Sequence, residues 1–358
     1  MPISHRIAIV YAPYTSAEWN LIRLNRMVIL DCASGRHAES LVAEAPCPPG
    51  VAWTPDGSRL IVGRMTYGQA YGEPTVSVYD AVTLVAETGW PWPVDTPEVS
   101  RVAASNAHIA VRWANATLSV YAIATKSFVT GIPGISGYVE QMTWSPDGAY
   151  LAVCTSDALR VFESSSWERV WAAPTMTYKF PLAWSPDGAY LSIARDVGVD
   201  GTELRLYDVT TWAEIPTGVT SIERPSSIAW SADGSRIGIG LRGSPHLLVV
   251  SVPGFLPQPA TLPADVRTGN NTCVVMLPDG RVVAARQSPR RVSMIARDLS
   301  TVEYDLHASD AQVQSISVSA WADNAISGIV RDESEAPAAG RRVIAIHDAS
   351  AAVVGTAT

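Results

Sequence analysis

The chain has 358 residues, of which 47% are hydrophobic and only 17% are charged, with 25 glycines and 25 prolines. This balance favours many short strands joined by tight turns over a disordered or fibrous chain. The net charge of −8 argues against a nucleic-acid partner, and since no apolar stretch approaches the roughly 18 residues needed to cross a bilayer, no membrane insertion is expected.

The first predicted elements begin in the middle of a repeat unit. HRIAIVYAP (5–13) reads as a second strand and RMVILDCASGRH (26–37) as a third strand, with no turn phrase before them. The N-terminal residues also lack the sustained apolar segment of a secretion signal. One inner strand is therefore missing at this end and has to come from elsewhere in the chain.

A turn phrase then recurs along the chain. It reads AWTPDGSRLIVG (52–63), TWSPDGAYLAVC (143–154), AWSPDGAYLSIA (183–194), AWSADGSRIGIG (229–240) and, in a worn form, VMLPDGRVVAA (275–285). Trp144, Trp184 and Trp230 are 40 and 46 residues apart, and RVAASNAHIAVRW near residue 104 fills the gap of 91 residues that follows Trp53. Asp-Gly between two apolar runs supplies the positive φ of a tight β-hairpin.

Each phrase is followed by a third strand, such as TVSVYDAVTL (75–84) or ELRLYDVTTW (203–212), and by a short fourth strand. Four antiparallel strands in about 40–45 residues make one blade of a β-propeller. The alternating segment QVQSISVSA (312–320) is able to supply the strand that the N-terminus lacks. We therefore predict an all-β fold, a seven-bladed β-propeller over residues 1–320 that is closed by pairing of N- and C-terminal strands.

The repeats resemble the WD-repeat and TolB-like propellers over roughly residues 1–320. The pairs Tyr79-Asp80 and Tyr207-Asp208 stand where WD-repeat blades end their third strand in Trp-Asp. The Gly-His pair of that family is absent, so the resemblance does not imply its histidine-centred hydrogen-bond network. The tryptophans of the turn phrase are expected to fill the space between adjacent blades.

Residues 321–358 lack the blade phrase and form a second predicted region, a partial β-sandwich-like module. The segment 326–358 resembles the opening strands of a carboxypeptidase-regulatory-like, transthyretin-like β-module, a kind found in bacteriophage tail and virion proteins. Its strands are too few to close a sandwich, so we expect either that this sequence is truncated or that another chain completes the module by strand addition. An alternative interpretation makes it an eighth partial blade, because GIVRDESEAPAAGRRVIAIHD parallels SIARDVGVDGTELRLYD.

No motif for catalysis, a cofactor or a metal is present. The four cysteines contain no Cys-x-x-Cys pair, and the six histidines show no ligand spacing. The segment from Asp196 to Glu203 resembles a fragment of a calcium loop, but Gly198 stands where an oxygen ligand is needed, so a plain loop is favoured. We predict no enzyme, no cofactor and no metal, with a lactonase-type propeller enzyme as the least favoured alternative.

A binding surface is predicted on the face opposite the turn phrases, where the remaining loops gather. The predicted residues are aromatic residues of these loops and arginines at or near the end of the second strand of a blade. They are Arg64, Tyr67, Tyr71, Trp90, Trp92, Tyr178, Arg195, Arg242 and Arg286. Exposed aromatics anchor protein contacts, and guanidinium groups grip carboxylates or phosphates. Two alternatives stay open: Trp90 and Trp92 cap the gaps between blades, and the arginines pair with nearby acids such as Asp196.

These features predict a non-catalytic structural protein, a bacteriophage virion component of the tail region that serves assembly or host attachment. Its partners would be virion subunits or a host surface receptor, and its location would be the phage particle. The alternative is a bacterial interaction scaffold of WD-repeat or TolB-like kind, located in the cytoplasm.

Overall fold

A computed structural model describes most of the propeller region and two short C-terminal segments. The described residues are 4–13, 25–31, 37–42, 50–63, 76–81, 83, 85–92, 99–113, 117–135, 139–155, 158–173, 181–197, 201–221, 223–242, 247–258, 271–277, 279–287, 290–307, 311–321, 343–346 and 353–357. In these ranges the regular elements are all β-strands, and none of them is a helix that could span a membrane.

The strands follow one another as short segments of two to eleven residues. Those of the first half are β1 Ser4–Pro13, β2 Asn25–Asp31, β3 His37–Val42, β4 Gly50–Trp53, β5 Arg59–Gly63, β6 Val76–Asp80, β7 Val99–Ala104, β8 His108–Trp113, β9 Leu118–Ala122, β10 Ser127–Gly131, β11 Val139–Trp144, β12 Tyr150–Thr155, β13 Leu159–Glu163 and β14 Arg169–Ala173. Those of the second half are β15 Leu182–Trp184, β16 Tyr190–Asp196, β17 Thr202–Asp208, β18 Glu214–Ser221, β19 Pro225–Trp230, β20 Arg236–Leu241, β21 Leu247–Ser251, β22 Pro257–Gln258, β23 Asn271–Met276, β24 Val282–Gln287, β25 Arg290–Ile295, β26 Val302–His307, β27 Ala311–Trp321, β28 Val343–Ile346 and β29 Val353–Ala357.

The strands form antiparallel sheets in the order of a β-propeller. Six sheets have four strands, in the orders β27-β1-β2-β3, β7-β8-β9-β10, β11-β12-β13-β14, β15-β16-β17-β18, β19-β20-β21-β22 and β23-β24-β25-β26. The sheet β4-β5-β6 has three strands. The predicted all-β propeller is confirmed with six four-stranded blades, whereas the predicted count of seven blades is not confirmed.

The turn phrase folds as the sequence predicts. Gly148 and Gly188 adopt φ of 75° and 73°, a region that glycine enters without steric cost. In the first of these hairpins the Ser145 hydroxyl donates to Asp147 at 2.6 Å and accepts from the Tyr150 backbone N–H at 2.9 Å. The serine and aspartate thus satisfy backbone and side-chain groups that the tight turn leaves without partners.

Side chains of adjacent blades meet in aromatic seams. Tyr150 stacks on Trp184 with ring centroids 6.2 Å apart, and Tyr190 stacks on Trp230 at 6.5 Å. The indole N–H of Trp184 also donates to the Thr143 carbonyl of the preceding blade at 3.3 Å. The hydrophobic core is therefore divided into layers between blades, as expected for a repeat architecture.

The turn between the third and fourth strands of a blade also contributes a side chain to the contact with the neighbouring blade. Lys126, Trp167 and Trp212 occupy equivalent sites and have φ of 48°, 60° and 56°. Positive φ is uncommon for such residues. Trp212 stacks on Trp171 at 5.1 Å, whereas Lys126 places its ammonium 5.8 Å from the Trp90 ring centroid. Different side chains fill the same niche between blades.

A β-bulge recurs near the start of several innermost strands. The register shifts between Val139 and Gln141 in β11, and between Pro225 and Ser227 in β19. The Gln141 side chain then reaches the next blade, where its amide N–H donates to the Leu182 carbonyl and its carbonyl accepts the Leu182 N–H, both at 3.0 Å. The bulge re-aims a polar side chain onto the backbone edge of a neighbouring strand.

In the C-terminal region the structure describes only β28 and β29, which pair antiparallel as a two-stranded sheet. The other residues of 322–358 lie outside the described ranges. The predicted β-sandwich-like module and its alternative, an eighth partial blade, both stay predictions.

Candidate partner-binding face

The sheets expose two opposite faces of the propeller. The hairpin face carries the turn phrases, and the loop face is the side where second strands end and third strands begin. Of the nine predicted site residues, Arg195 lies near the end of β16, Arg242 directly follows β20, and Arg286 lies in β24 one residue before its end. Arg64, Tyr67, Tyr71 and Tyr178 lie outside the described residues. The loop face therefore contains the three predicted arginines that the structure describes.

Trp90 and Trp92 are not brought together with these arginines. Their rings stack on each other at 5.1 Å, and Trp92 meets the edge of Tyr121 at 4.9 Å in the next blade. Nearby, Lys126 donates to the Thr88 carbonyl at 2.8 Å and pairs with Glu87 at 3.1 Å, toward the hairpin face. Both tryptophans are half-buried in this seam, and their contact role remains a prediction.

Arg195 belongs to a chain of charges on one side of the sheet β15–β18. Its Nη1 lies 3.8 Å from Oε2 of Glu203, the residue opposite it in the register. Arg205 donates from Nε to Glu203 at 3.0 Å and from Nη1 to Glu214 at 3.0 Å. Burial alone would lower the pKa of Arg205, but the hydrogen bonds and charges of these partners outweigh it and raise that pKa. The arginines are thus largely neutralised within the chain.

Asp196 forms an ion pair across the next seam. Its Oδ2 lies 3.6 Å from Nε of Arg224, just before β19, and its own side chain is only 9% exposed. Close by, the Thr202 hydroxyl donates to the Glu223 carbonyl. Within the described ranges no group of three His, Cys, Asp or Glu side chains is arranged to hold a metal. In the segment 196–203, both terminal acids face arginines.

Arg242 differs from Arg195 in its surroundings. It is exposed, its backbone N–H donates to the Arg224 carbonyl at 2.9 Å, and in the described part of the chain its guanidinium has no ion pair. The Arg224 side chain beside it is 51% exposed. Arg242 thus presents its guanidinium at the loop face, whereas Arg224 pairs with Asp196, and Arg195 and Arg205 lie beside glutamates.

Sequence reasoning missed Arg224, Ser226 and Ser227. Among the residues that the structure describes, the hydroxyls of both serines are buried and have no hydrogen-bond partner. Both lie near Gly240, where an added Cβ would approach the Ser227 hydroxyl to 2.6 Å and the Ser226 hydroxyl to 3.0 Å. The bulge that places these serines has no clear mark in the sequence. One inserted residue changes the alternation of apolar residues too little for the bulge to be predicted.

Arg112 lies in β8, one residue before the end of that strand, and is 3% exposed. It pairs in register with Arg101 on the innermost strand β7. Burial lowers the pKa of Arg112. This guanidinium belongs to the interior of the loop-face end of its blade.

Comparisons with known proteins show the fold. No protein-family model matches the chain, and no curated protein matches it. Among solved structures, Kuenenia stuttgartiensis hydrazine synthase is similar over 72% of this chain and 78% of its own, at 20% identity and a TM-score of 0.56. A chain of the mitotic checkpoint complex is similar over 76% of this chain and 83% of its own, at 17% identity and a TM-score of 0.59. The shared feature is a WD-repeat-like β-propeller fold.

Proposed function

We propose that this chain is a non-catalytic interaction protein that binds other proteins through the loop face of its propeller. The observation that carries the proposal is the exposed Arg242, whose guanidinium has no ion pair in the described part of the chain. Guanidinium groups at a surface form two parallel hydrogen bonds with a carboxylate of a partner. A propeller disc presents such groups on a rigid scaffold.

Affinity capture from the source culture tests this role. The immobilised chain and its Arg242→Glu variant are compared, with Arg169→Glu as the control, because Arg169 is an exposed arginine at the start of the outer strand β14. We expect proteins retained by the native chain and by Arg169→Glu to be lost from Arg242→Glu. Identical sets on all three would remove the loop face from the proposal.

We further propose that the partners are subunits of a bacteriophage particle, in its tail region. This step rests on the resemblance of residues 326–358 alone. Mass spectrometry of density-banded particles from the source culture is expected to find the chain at a fixed ratio to the capsid protein. If the chain stays in the cytoplasmic fraction and never bands with particles, the bacterial scaffold takes the place of the phage component.

For the architecture we propose a ring of seven blades closed by the β1–β27 pair. The proposal is supported by contacts of β27 with β4 on one side and β23 on the other. It is also supported by hydrogen bonds beyond β6, where the Glu87 N–H donates to the Val78 carbonyl at 2.7 Å and Tyr79 bridges to Ala86. These bonds are those expected of a short fourth strand on the sheet β4–β6.

A further inference from the structure

The first residue of a second strand joins its blade to the next one through an aromatic stack. This residue is Tyr150 in β12 and Tyr190 in β16, and both rings stack on the turn-phrase tryptophan of the following blade. In β8 the equivalent first residue is His108, which stacks on Trp144 with ring centroids 5.7 Å apart and planes 20° apart. One of these joints between blades therefore contains a side chain that titrates near neutral pH.

The imidazole of His108 lies between two indoles, Trp144 and Trp167, and we call these three residues the His108 joint. The edge contact with Trp167 has a centroid distance of 5.2 Å and an interplanar angle of 84°. Among the described residues, the Nδ1 atom of His108 is buried and has no hydrogen-bond partner. A neutral imidazole carries a proton on one nitrogen only, whereas an imidazolium carries one on both. Protonation of His108 would therefore create a buried N–H donor without an acceptor, which is costly.

The tryptophan of this joint also lacks the hydrogen bond that its counterparts make. The indole N–H of Trp184 donates to the Thr143 carbonyl at 3.3 Å, and that of Trp230 donates to the Ser192 hydroxyl at 2.8 Å. In the described part of the chain the indole nitrogen of Trp144 is buried without a partner. The His108 joint therefore depends on ring packing, with no side-chain hydrogen bond from this indole to hold the two blades together.

Charged groups lie on the elements around the His108 joint. They are Asp56 in the turn of the preceding blade, Lys126 after β9, Asp147 after β11, Glu163 and Glu168 on either side of the Trp167 turn, and Arg101 and Arg112 at the loop-face end of the same sheet. Within the described ranges none of them forms an ion pair or hydrogen bond with the imidazole. Burial therefore determines the direction, and it holds the pKa of His108 below its ordinary value of 6.5. A cation–π contact of the protonated ring with Trp144 would act in the opposite direction.

We propose that the His108 joint is a pH-sensitive contact between the sheets β7–β10 and β11–β14, which is weakened when His108 takes up a proton. The inference does not depend on the proposed function, because the joint lies toward the hairpin face and not at the loop face. Since the unfolded chain binds this proton more readily than the folded chain, the stability is complete above about pH 7. It is lost as the pH falls below the ordinary histidine value of 6.5. The joints of Tyr150 and Tyr190 should show no such loss, because tyrosine does not change its charge between about pH 5 and 8.

Urea unfolding of the full chain between about pH 7.5 and 5.5 tests the joint. We expect the urea midpoint of the native chain to decrease over this range, and to decrease less in His108→Tyr, which places at this joint the residue found in the next two blades. The other histidines are common to both chains, so the difference between the two chains isolates His108. The double variant His108→Tyr/Tyr150→His is the matched control, because Tyr150 lies against Trp184 and Trp212 in the same stacked and edge arrangement. The pH dependence should return in the double variant.

An NMR titration of the native chain gives a second readout that needs no stable variant. The imidazole resonance of His108 is the one missing from the spectrum of His108→Tyr, and its titration midpoint is expected below 6.5. A midpoint at or above that value would overturn the inference, since the cation–π contact would then outweigh burial. An equal decrease of the urea midpoint in the native chain and in His108→Tyr would overturn it as well, and so would a double variant that folds without pH dependence. If either variant fails to fold, the native titration is compared with that of a chain unfolded in urea, and equal midpoints would reject the joint.

Discussion

At the residue scale, hydrogen bonds favour the charged form of two turn-phrase aspartates, Asp187 and Asp233. Asp233 accepts hydrogen bonds from the Ser231 hydroxyl at 2.6 Å and the Ser235 hydroxyl at 2.7 Å, and these lower its pKa from 3.8 to about 2. The Ser185 hydroxyl and the Ala189 N–H likewise lower the pKa of Asp187. A depressed folded-state pKa adds stability above the unfolded value, and this stability is lost as the pH falls from about 5 toward 2.

We expect Asp233→Asn to lower the free energy of unfolding by about 1 kcal/mol at pH 7, because the half-exposed carboxylate is screened by solvent. The difference from the native chain should shrink at pH 2.5. Urea unfolding at both pH values measures it. Glu168→Gln serves as the control, because Glu168 is exposed, and a pH-independent loss in Asp233→Asn would contradict the linkage.

A second residue-scale prediction concerns Gln141. Replacing it with alanine removes both 3.0 Å hydrogen bonds to the Leu182 backbone. Since Leu182 is buried, its unpaired groups should cost about 1–3 kcal/mol of the free energy of unfolding. Hydrogen exchange at the Leu182 amide should rise in the same variant. Gln258→Ala, at an edge strand, provides the comparison. An equal loss of unfolding free energy there would show that the two hydrogen bonds to Leu182 add no stability.

At the element scale, the seams between blades matter more than any single strand. We expect Trp92→Ala to lower the free energy of unfolding by about 2 kcal/mol, because a half-buried ring loses its stacking on Trp90 and its contact with Tyr121. Leu256→Ala, at a side chain that is 69% exposed, should change it by less than about 0.5 kcal/mol. Urea unfolding compares the two. If Trp92→Ala kept full stability, the tryptophan would be a surface group and not part of the seam.

The strands and turns also show which parts of the fold could be predicted from the sequence alone. The hairpins were predictable because Pro-Asp-Gly fixes both a turn and its backbone geometry. Even the unit near residue 104, which lacks this phrase, folds as two strands. There Ser105 replaces the phrase and accepts the His108 N–H at 2.9 Å. The bulges were not predictable, since one extra residue leaves the apolar pattern intact. The partners of Arg195 escaped prediction for a related reason: Glu203 is opposite it only through the register of β16 and β17.

At the scale of the whole molecule, the β1–β27 pair joins residues more than 300 positions apart in sequence, such as Ala8 and Ser317. We expect a disulfide in Ala8→Cys/Ser317→Cys or in Ile7→Cys/Val318→Cys, because adjacent antiparallel pairs alternate and one of the two has the closer spacing. The cross-link should stabilise the chain by about 2–4 kcal/mol. Non-reducing electrophoresis and thermal unfolding provide the readout, with the single-cysteine variants as controls. Failure of both pairs to cross-link under oxidising conditions would reject closure by these strands.

The aromatic seams bear on how such a chain is able to grow. Tyr150 and Trp184 meet across one boundary, and Tyr190 and Trp230 meet across the next. The blade β15–β18 therefore carries a tryptophan for the blade before it and a tyrosine for the blade after it. A duplicated copy of such a blade keeps both the tryptophan and the tyrosine, so it would pack against a blade on either side. Compatibility between neighbours is built into the repeating unit, and gene duplication can lengthen the chain without first inventing a new interface.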